Sequence, residues 1–169
     1  MYTDLNPPGE EPISLAETKT FLRVTDDAED AHIMNLIASA RSQVERRAET
    51  AMILRPVRLS VFARGVRARL PIAPVHTLMS VSVDGREVEA EVLHEPWGNT
   101  LHFPEATFGI ARVDVLAGFG TSGEVPVPLR QAVLLLVADA FENREREAGF
   151  ARTSLRIDAL VGPYRGPRL

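Results

Sequence analysis

The segment that most limits how this chain can fold is an apolar run in its last third. Residues 129–141 read LRQAVLLLVADAF and follow a Val-Pro-Val-Pro stretch that ends at Pro128. A helix over this run is apolar nearly all round, and such a helix in a soluble protein is buried on most sides. Burial of one leucine side chain contributes about 1.5–3 kcal/mol. We therefore expect this helix to anchor the core.

Composition excludes several classes of protein. The 169 residues, 45% of them hydrophobic, suit one domain with an ample core. Cysteine is absent, which excludes disulfides and thiolate chemistry. No apolar run reaches the roughly 18 residues that span a bilayer, and residues 1–12 are too polar and Pro-rich for a signal peptide. We expect a protein with no membrane partner that is made in a cytoplasm.

Charge is distributed unevenly along the chain. The net charge of −4 gives no general reason to expect nucleic-acid binding. Residues 31–69 hold eight basic and two acidic residues, whereas residues 1–30 and 70–124 each hold eight acidic and two basic residues. Such blocks either form faces of opposite sign that favour self-association in a fixed register, or mix in space.

Two helices are predicted before the middle of the chain. Ser14 and Glu17 have the spacing of a capping box, which predicts a short helix to about Val24. Acidic residues then begin a long amphipathic helix from Asp27 to about Met52. Its apolar stripe comprises Ile33, Ile37, Ala40, Val44 and Ala48.

The middle third has the two-residue period of strands. Alternation runs over residues 57–70 with a turn at Gly65, and Asp84-Gly85 is a strong hairpin signal after a strand at 75–83. A strand at 88–93 precedes a second turn around Trp97. Two further strands are predicted at 100–103 and 111–117.

These elements predict an α+β fold that is mainly helical. It has a long-helix core, an inserted small antiparallel β subdomain and a protruding C-terminal tail. We expect a single domain over residues 1–169. Its parts are an N-terminal arm (1–12), helices (14–53), a β insertion (55–118), the buried helix (126–149) and a C-terminal segment (150–169). Gly162, Pro163, Gly166 and Pro167 should prevent regular structure in the tail, so we expect it to add little to the core.

Signals for catalysis are weak. His94 and His102 flank the Trp97 turn with Glu95 and Glu105 nearby, so paired strands could bring the imidazoles together as metal ligands. His32 and His76 are isolated, and no phosphate loop or nucleophile elbow occurs. We predict no catalytic residue, no cofactor and no metal. A small metal-dependent hydrolase that uses His94, His102 and a carboxylate is the alternative.

Arginines are concentrated on the first two predicted strands. On one sheet face they would form a basic patch able to contact phosphate. The other interpretation is that they form salt bridges with the acidic blocks. The residues concerned are Arg55, Arg58, Arg64, Arg67 and Arg69.

Several motifs together resemble the head–tail connector proteins of tailed phages and gene transfer agents, also called adaptor or head-completion proteins. The resemblance begins with SLAETKTFLRV at 14–24 and continues with LPIAPV at 70–75 and VSVDG at 81–85. It recurs in AGFG at 117–120, VPVPLRQA at 125–132, FENR at 141–144 and PYR at 163–165. The order and spacing of these motifs cover nearly the whole chain.

The resemblance implies a structural, non-enzymatic role. It implies a ring of about twelve subunits that binds the portal, carries the stopper or another tail-completion protein, and gives passage to DNA without sequence specificity. The expected location is the head–tail junction of a particle, after assembly in the host cytoplasm. Tyrosine and arginine often dominate interfaces, so we predict portal-binding residues in the C-terminal segment: Leu160, Tyr164, Arg165, Arg168 and Leu169. Another tail-completion protein, such as a stopper or terminator, remains an alternative.

Overall fold

The computed structural model describes residues 2–95, 98–142 and 150–165. They divide into two compact units. Residues 2–9 and 49–119 form a sheet unit, and residues 10–48 and 120–165 form a helical unit.

The helical unit contains the predicted helices with shifted ends. Its elements are α1 (Leu15–Leu22), α2 (Asp30–Ala48), a 3-10 turn (Ser122–Glu124), α3 (Val127–Glu142), α4 (Phe150–Val161) and a second 3-10 turn (Gly162–Tyr164). The prediction that the apolar helix is buried on most sides is confirmed only for one side of α3, because Leu134 and Leu135 on the other sides are half-buried. The buried residues are Leu129, Ala132, Val133, Leu136 and Val137.

The helix ends differ from the prediction for local reasons. Ser14 caps α1 by accepting the Glu17 N–H at 3.1 Å, but the Glu17 carboxylate pairs with Arg130 at 2.9 Å. Helix α2 starts three residues after the predicted Asp27. There the Asp26 carboxylate accepts the N–H of Ala28 at 3.0 Å and holds a turn, as aspartate side chains often do.

The sheet unit is built around one long central strand. Within the described residues the strands are β1 (Tyr2–Asp4), β2 (Arg55–Leu70), β3 (Val75–Val83), β4 (Arg86–Glu87), β5 (Glu91–Glu95) and β6 (Gly98–Ala117). The order is β1-β2-β6-β3-β4, β5 also pairs with β6, and every pairing is antiparallel. The inward faces bury an apolar cluster that includes Leu59, Leu101, Phe103, Val113 and Val115.

Two strand predictions are wrong because each divides one long strand into two. The chain does not turn at Gly65: β2 runs through it, and the register against β6 shifts between Gly65 and Arg67. The two strands predicted at 100–103 and 111–117 are parts of the single strand β6. A bulge lets each long strand change register without ending.

Strands and helices make comparable contributions, so the prediction of a mainly helical fold is wrong. The α+β class is confirmed, as is an antiparallel sheet whose strands β2–β6 follow α2 and precede α3 in the sequence. The N-terminal arm is also not fully free: Tyr2–Asp4 pairs with β2, and the Leu5 N–H donates to the Pro56 carbonyl at 3.2 Å. The Asp84-Gly85 hairpin is confirmed, with φ of 49° and 84° at the two turn residues, as a type I′ turn requires.

Gly118 closes the sheet unit where only glycine fits. Its φ is +134°, and a Cβ atom there would lie 2.5 Å from the Ile53 carbonyl oxygen. The Gly118 N–H donates to the Pro74 carbonyl at 3.1 Å, and the next N–H, of Phe119, donates to the Met52 carbonyl at 3.0 Å. The AGFG motif is therefore a close crossing of backbone segments, which explains its first glycine.

Candidate functional site

The predicted portal-binding segment begins as an ordered helix. In α4, Ile157 and Val161 are fully buried, whereas Leu155 is 73% exposed. The expectation that this segment adds little to the core does not hold for Ile157 and Val161, and residues Gly162–Tyr164 form a 3-10 turn where irregular structure was expected.

Arg165 ties the end of this segment to α2. Its guanidinium donates to the Arg47 carbonyl at 2.5 Å and to the Asp158 carboxylate at 2.9 Å. The Arg47 guanidinium donates to the Ser154 hydroxyl at 3.2 Å and lies 3.9 Å from Asp158. Two arginines thus share one carboxylate, and this cluster fixes the chain direction at the end of α4.

The predicted portal-binding residues fall into two groups. Leu160, Tyr164 and Arg165 are partly exposed and lie within the last helical turns that the structure describes. Arg168 and Leu169 lie outside the described residues. The structure brings the first three to one end of the helical unit, and their binding role stays a prediction.

The two histidines of the alternative hypothesis do not converge. In the β5–β6 pairing, His94 is opposite Asn99 and His102 is opposite Glu91. Successive residues of a strand point to opposite faces, so the three-step offset between these pairs places the imidazoles on opposite faces of the sheet. His94 Nδ1 lies 2.8 Å from the Asn99 side-chain oxygen, and His102 Nδ1 lies 3.4 Å from the Glu91 carboxylate.

The remaining histidines make separate contacts. Over residues 2–95, 98–142 and 150–165, no cluster of three or more potential metal-ligating side chains occurs. His76 Nε2 bonds the Gly118 carbonyl at 2.7 Å, and the His32 ring lies 6.3 Å from that of Phe141. Both contacts are structural, as expected for isolated histidines.

Four of the five strand arginines form salt bridges, and three of these reach the acidic blocks, which confirms the second interpretation for Arg55, Arg58 and Arg67. Their partners are Asp4 for Arg55, Asp114 for Arg58, Glu95 for Arg67 and Glu49 for Arg69. The Arg58–Asp114 pair is bidentate, with both distances 2.7 Å. Hydrogen bonding from Arg58 lowers the pKa of the Asp114 carboxyl below its ordinary value.

An apolar cluster on the outer sheet face was missed by the sequence reasoning. Phe62, Phe108 and Ile110 are 68%, 65% and 56% exposed. Phe62 is opposite Ile110, and Arg64 is opposite Phe108. The signal was present in β2, where Phe62 alternates in phase with Arg58, Ser60 and Arg64.

None of the helices in the described part of the chain combines the length and apolar character needed to cross a membrane. The exposed apolar side chains of the outer sheet face define a class of protein, one that works through contacts with other proteins.

Comparison with known proteins gives a more specific likeness. A family model for phage gp6-like head–tail connector proteins matches residues 12–71. No curated protein sequence matches this chain significantly. Because the model covers α1, α2 and β2, its match spans both units.

Solved structures extend the likeness to the whole chain. A chain from the neck of an empty gene transfer agent particle, computed with C6 symmetry, matches with a TM-score of 0.82 and 26% identity over 100% of this chain and 97% of that chain. A chain from the neck of the native particle, computed with C12 symmetry, matches with a TM-score of 0.77 and 26% identity over the same shares. A chain of the native gene transfer agent virion matches with a TM-score of 0.77 and 27% identity over 100% and 97%.

These matches confirm the resemblance to head–tail connector proteins. They also confirm the predicted role as a structural connector and the predicted location at the head–tail junction of a particle. The family and the matched chains are structural particle proteins, and the necks are symmetric, which supports an oligomeric ring within a particle.

Proposed function

We propose that this chain is the connector subunit of a ring of about twelve copies, bound to the portal on one side and to a stopper or tail-completion protein on the other. The ring encloses the path of DNA and contacts it without sequence specificity. The sheet unit and the helical unit act together as one connector domain, and neither carries out catalysis.

The observation that carries this proposal is the full-length likeness to chains of a symmetric neck. A TM-score of 0.82 over 100% of the chain includes both the sheet unit and the helical unit. The salt bridges of the sheet arginines fit the same role. A protein that conducts DNA must not bind it tightly. An arginine that is already paired with a carboxylate neutralises DNA phosphates less, so it adds little to the affinity for DNA.

Portal binding is assigned to the C-terminal segment. Leu160 lies in the last turn of α4 and Tyr164 in the 3-10 turn that follows, and both are partly exposed, so an apolar and an aromatic side chain are available to a partner. Arg165 holds this end in place through Asp158 and the Arg47 carbonyl. Arg168 and Leu169 follow and complete the proposed contact.

Particle composition tests the ring. A tagged chain should be found in purified tailed particles at about twelve copies each, counted by quantitative mass spectrometry, with the tag located between head and tail by immuno-electron microscopy. Loss of the gene should give DNA-filled heads without tails. Tailed, infectious or transfer-competent particles that lack the chain would overturn the proposal.

Two matched changes test the portal contact. A chain that ends after Arg165 keeps the buried Ile157 and Val161, and it should fold but fail to join portal-bearing heads. Tyr164→Ser should weaken the same attachment, whereas Leu155→Ser, at a position in α4 that is 73% exposed, should not. Normal attachment by the shortened chain and by Tyr164→Ser would exclude this segment as the portal contact.

A further inference from the structure

We infer that neighbouring copies in the ring bind through two different surfaces of the sheet unit: an outer patch of Phe62, Arg64, Phe108, Ile110 and Arg112, and an acidic groove beside β5. The occupant of the patch is therefore a second copy of this chain. The inference rests on the proposed ring and adds the residues that hold it together.

The outer patch combines apolar and cationic side chains on two paired strands. Phe62, Phe108 and Ile110 are each more than half exposed. In the β2–β6 register Phe62 is opposite Ile110, Arg64 is opposite Phe108, and Arg112 lies one outward-facing position beyond Ile110. Opposed residues in antiparallel strands have Cβ atoms about 4.5–5.5 Å apart, so the five side chains form one continuous surface.

The two arginines of the outer patch, Arg64 in β2 and Arg112 in β6, differ from the neighbouring arginines of β2. Arg58 and Arg67 are held by Asp114 and Glu95. Arg64 and Arg112 are exposed and form no ion pair with any residue in the described part of the chain. The patch therefore presents two uncompensated positive charges beside three apolar side chains, a composition that fits the centre of a protein interface.

The acidic groove offers a complementary surface on the same unit. It is an open depression of about 300 Å³ lined by Glu89, Ala90, Glu91, His102 and Pro104. Glu89 is exposed and forms no ion pair with the described residues, whereas Glu91 lies 3.4 Å from His102. The volume lies at the lower end of the range for small ligand pockets, which is sufficient for one aromatic side chain.

Charge and polarity favour a protein occupant over DNA. Duplex DNA would satisfy Arg64 and Arg112 through its phosphates, but it would leave Phe62, Phe108 and Ile110 in water. Exposed apolar clusters with a polar rim mark protein contacts. A closed ring of more than two copies uses two different surfaces on each subunit. A cationic, apolar patch that meets an acidic groove satisfies this requirement.

A charge exchange between the two surfaces tests the inference. Arg64→Glu and Glu89→Arg should each lower the yield of tailed particles about tenfold, because each places like charges opposite one another. The double variant Arg64→Glu with Glu89→Arg should recover most of that yield, since it restores an attractive pair. Circular dichroism should show that all three chains fold like the wild type. Wild-type yield from both single variants, or a double variant no better than the worse single variant, would overturn the assignment.

Photo-crosslinking tests the occupant directly in assembled particles. With a photoreactive phenylalanine analogue in place of Phe108, irradiation should give a dimer of this chain, with the crosslink in the peptide that contains Glu89 and Glu91. The analogue at position 155, which is 73% exposed on α4, should not crosslink to that peptide. Crosslinks from position 108 to the portal or to a tail protein alone would refute the inference and leave the ring intact. Absence of the wild-type chain from necks would contradict both the proposed ring and this inference.

Discussion

Replacement of Ile157 by alanine tests whether the C-terminal helix belongs to the core. Ile157 is fully buried in α4, and the substitution removes three carbon atoms. At about 0.8 kcal/mol for each buried methylene, the lost transfer free energy is about 2.4 kcal/mol. A cavity left behind adds to this cost, and measured values for such changes are about 2–5 kcal/mol. We therefore expect a loss of about 3 kcal/mol in the free energy of unfolding.

The measurement is urea denaturation followed by circular dichroism, together with a thermal melt. For a chain of this size, 1 kcal/mol corresponds to roughly 2–4 °C, so the melting temperature should fall by about 6–12 °C. Leu155→Ala, on the same helix but 73% exposed, is the control and should cost less than about 0.5 kcal/mol. Equal effects from the two substitutions would show that α4 does not pack as described, and would favour a free C-terminal segment.

Three further outcomes are expected. Gly118→Ala should destabilise the chain by about 3 kcal/mol in denaturant titration, because it adds backbone strain and a clash, whereas Gly123→Ala, with no atom within 4 Å of the added Cβ, should be nearly neutral. Arg58 lowers the pKa of Asp114 from its ordinary 3.8, so this pair stabilises the fold above that pH and the contribution is lost as the pH falls through the lower folded value. Asp114→Asn should therefore reduce stability by about 1 kcal/mol at pH 7, with a difference from wild type that shrinks below pH 3.8; an unchanged difference in acid would contradict this. His94→Gln with His102→Gln should leave the yield of tailed particles unchanged, and a loss that added zinc restores would revive the metal site.

Local signals predicted the elements whose cause is local. The Asp84-Gly85 turn needs only two residues that tolerate positive φ, and the Ser14 cap needs only one hydroxyl at a helix start. The same reasoning failed at Gly65. There, glycine is a common turn residue, but the pairing of β2 with β6 continues beyond it, and that pairing joins residues far apart in the sequence.

The candidate surfaces were predicted only in part for a related reason. The alternation that placed Arg58, Arg64 and Phe62 on one face of β2 was visible in the sequence. Which arginine would meet an acid was not, because Asp114 reaches Arg58 only through the register of β6. His94 and His102 showed the opposite error: they are close in sequence, but the pleat of the sheet separates them.

The position of β6 in the sheet has a consequence for how the chain folds during synthesis. β6 is the strand to which β2, β3 and β5 all pair, yet it follows all of them in the sequence. During synthesis, β2, β3 and β5 therefore leave the ribosome before β6, with which each of them pairs. The sheet cannot be completed until residue 117 has emerged. Contacts between distant residues must then form against the entropy of long intervening loops, which slows folding. Until that moment β2 has an open edge, and it is during this interval that the nascent chain most needs protection from aggregation.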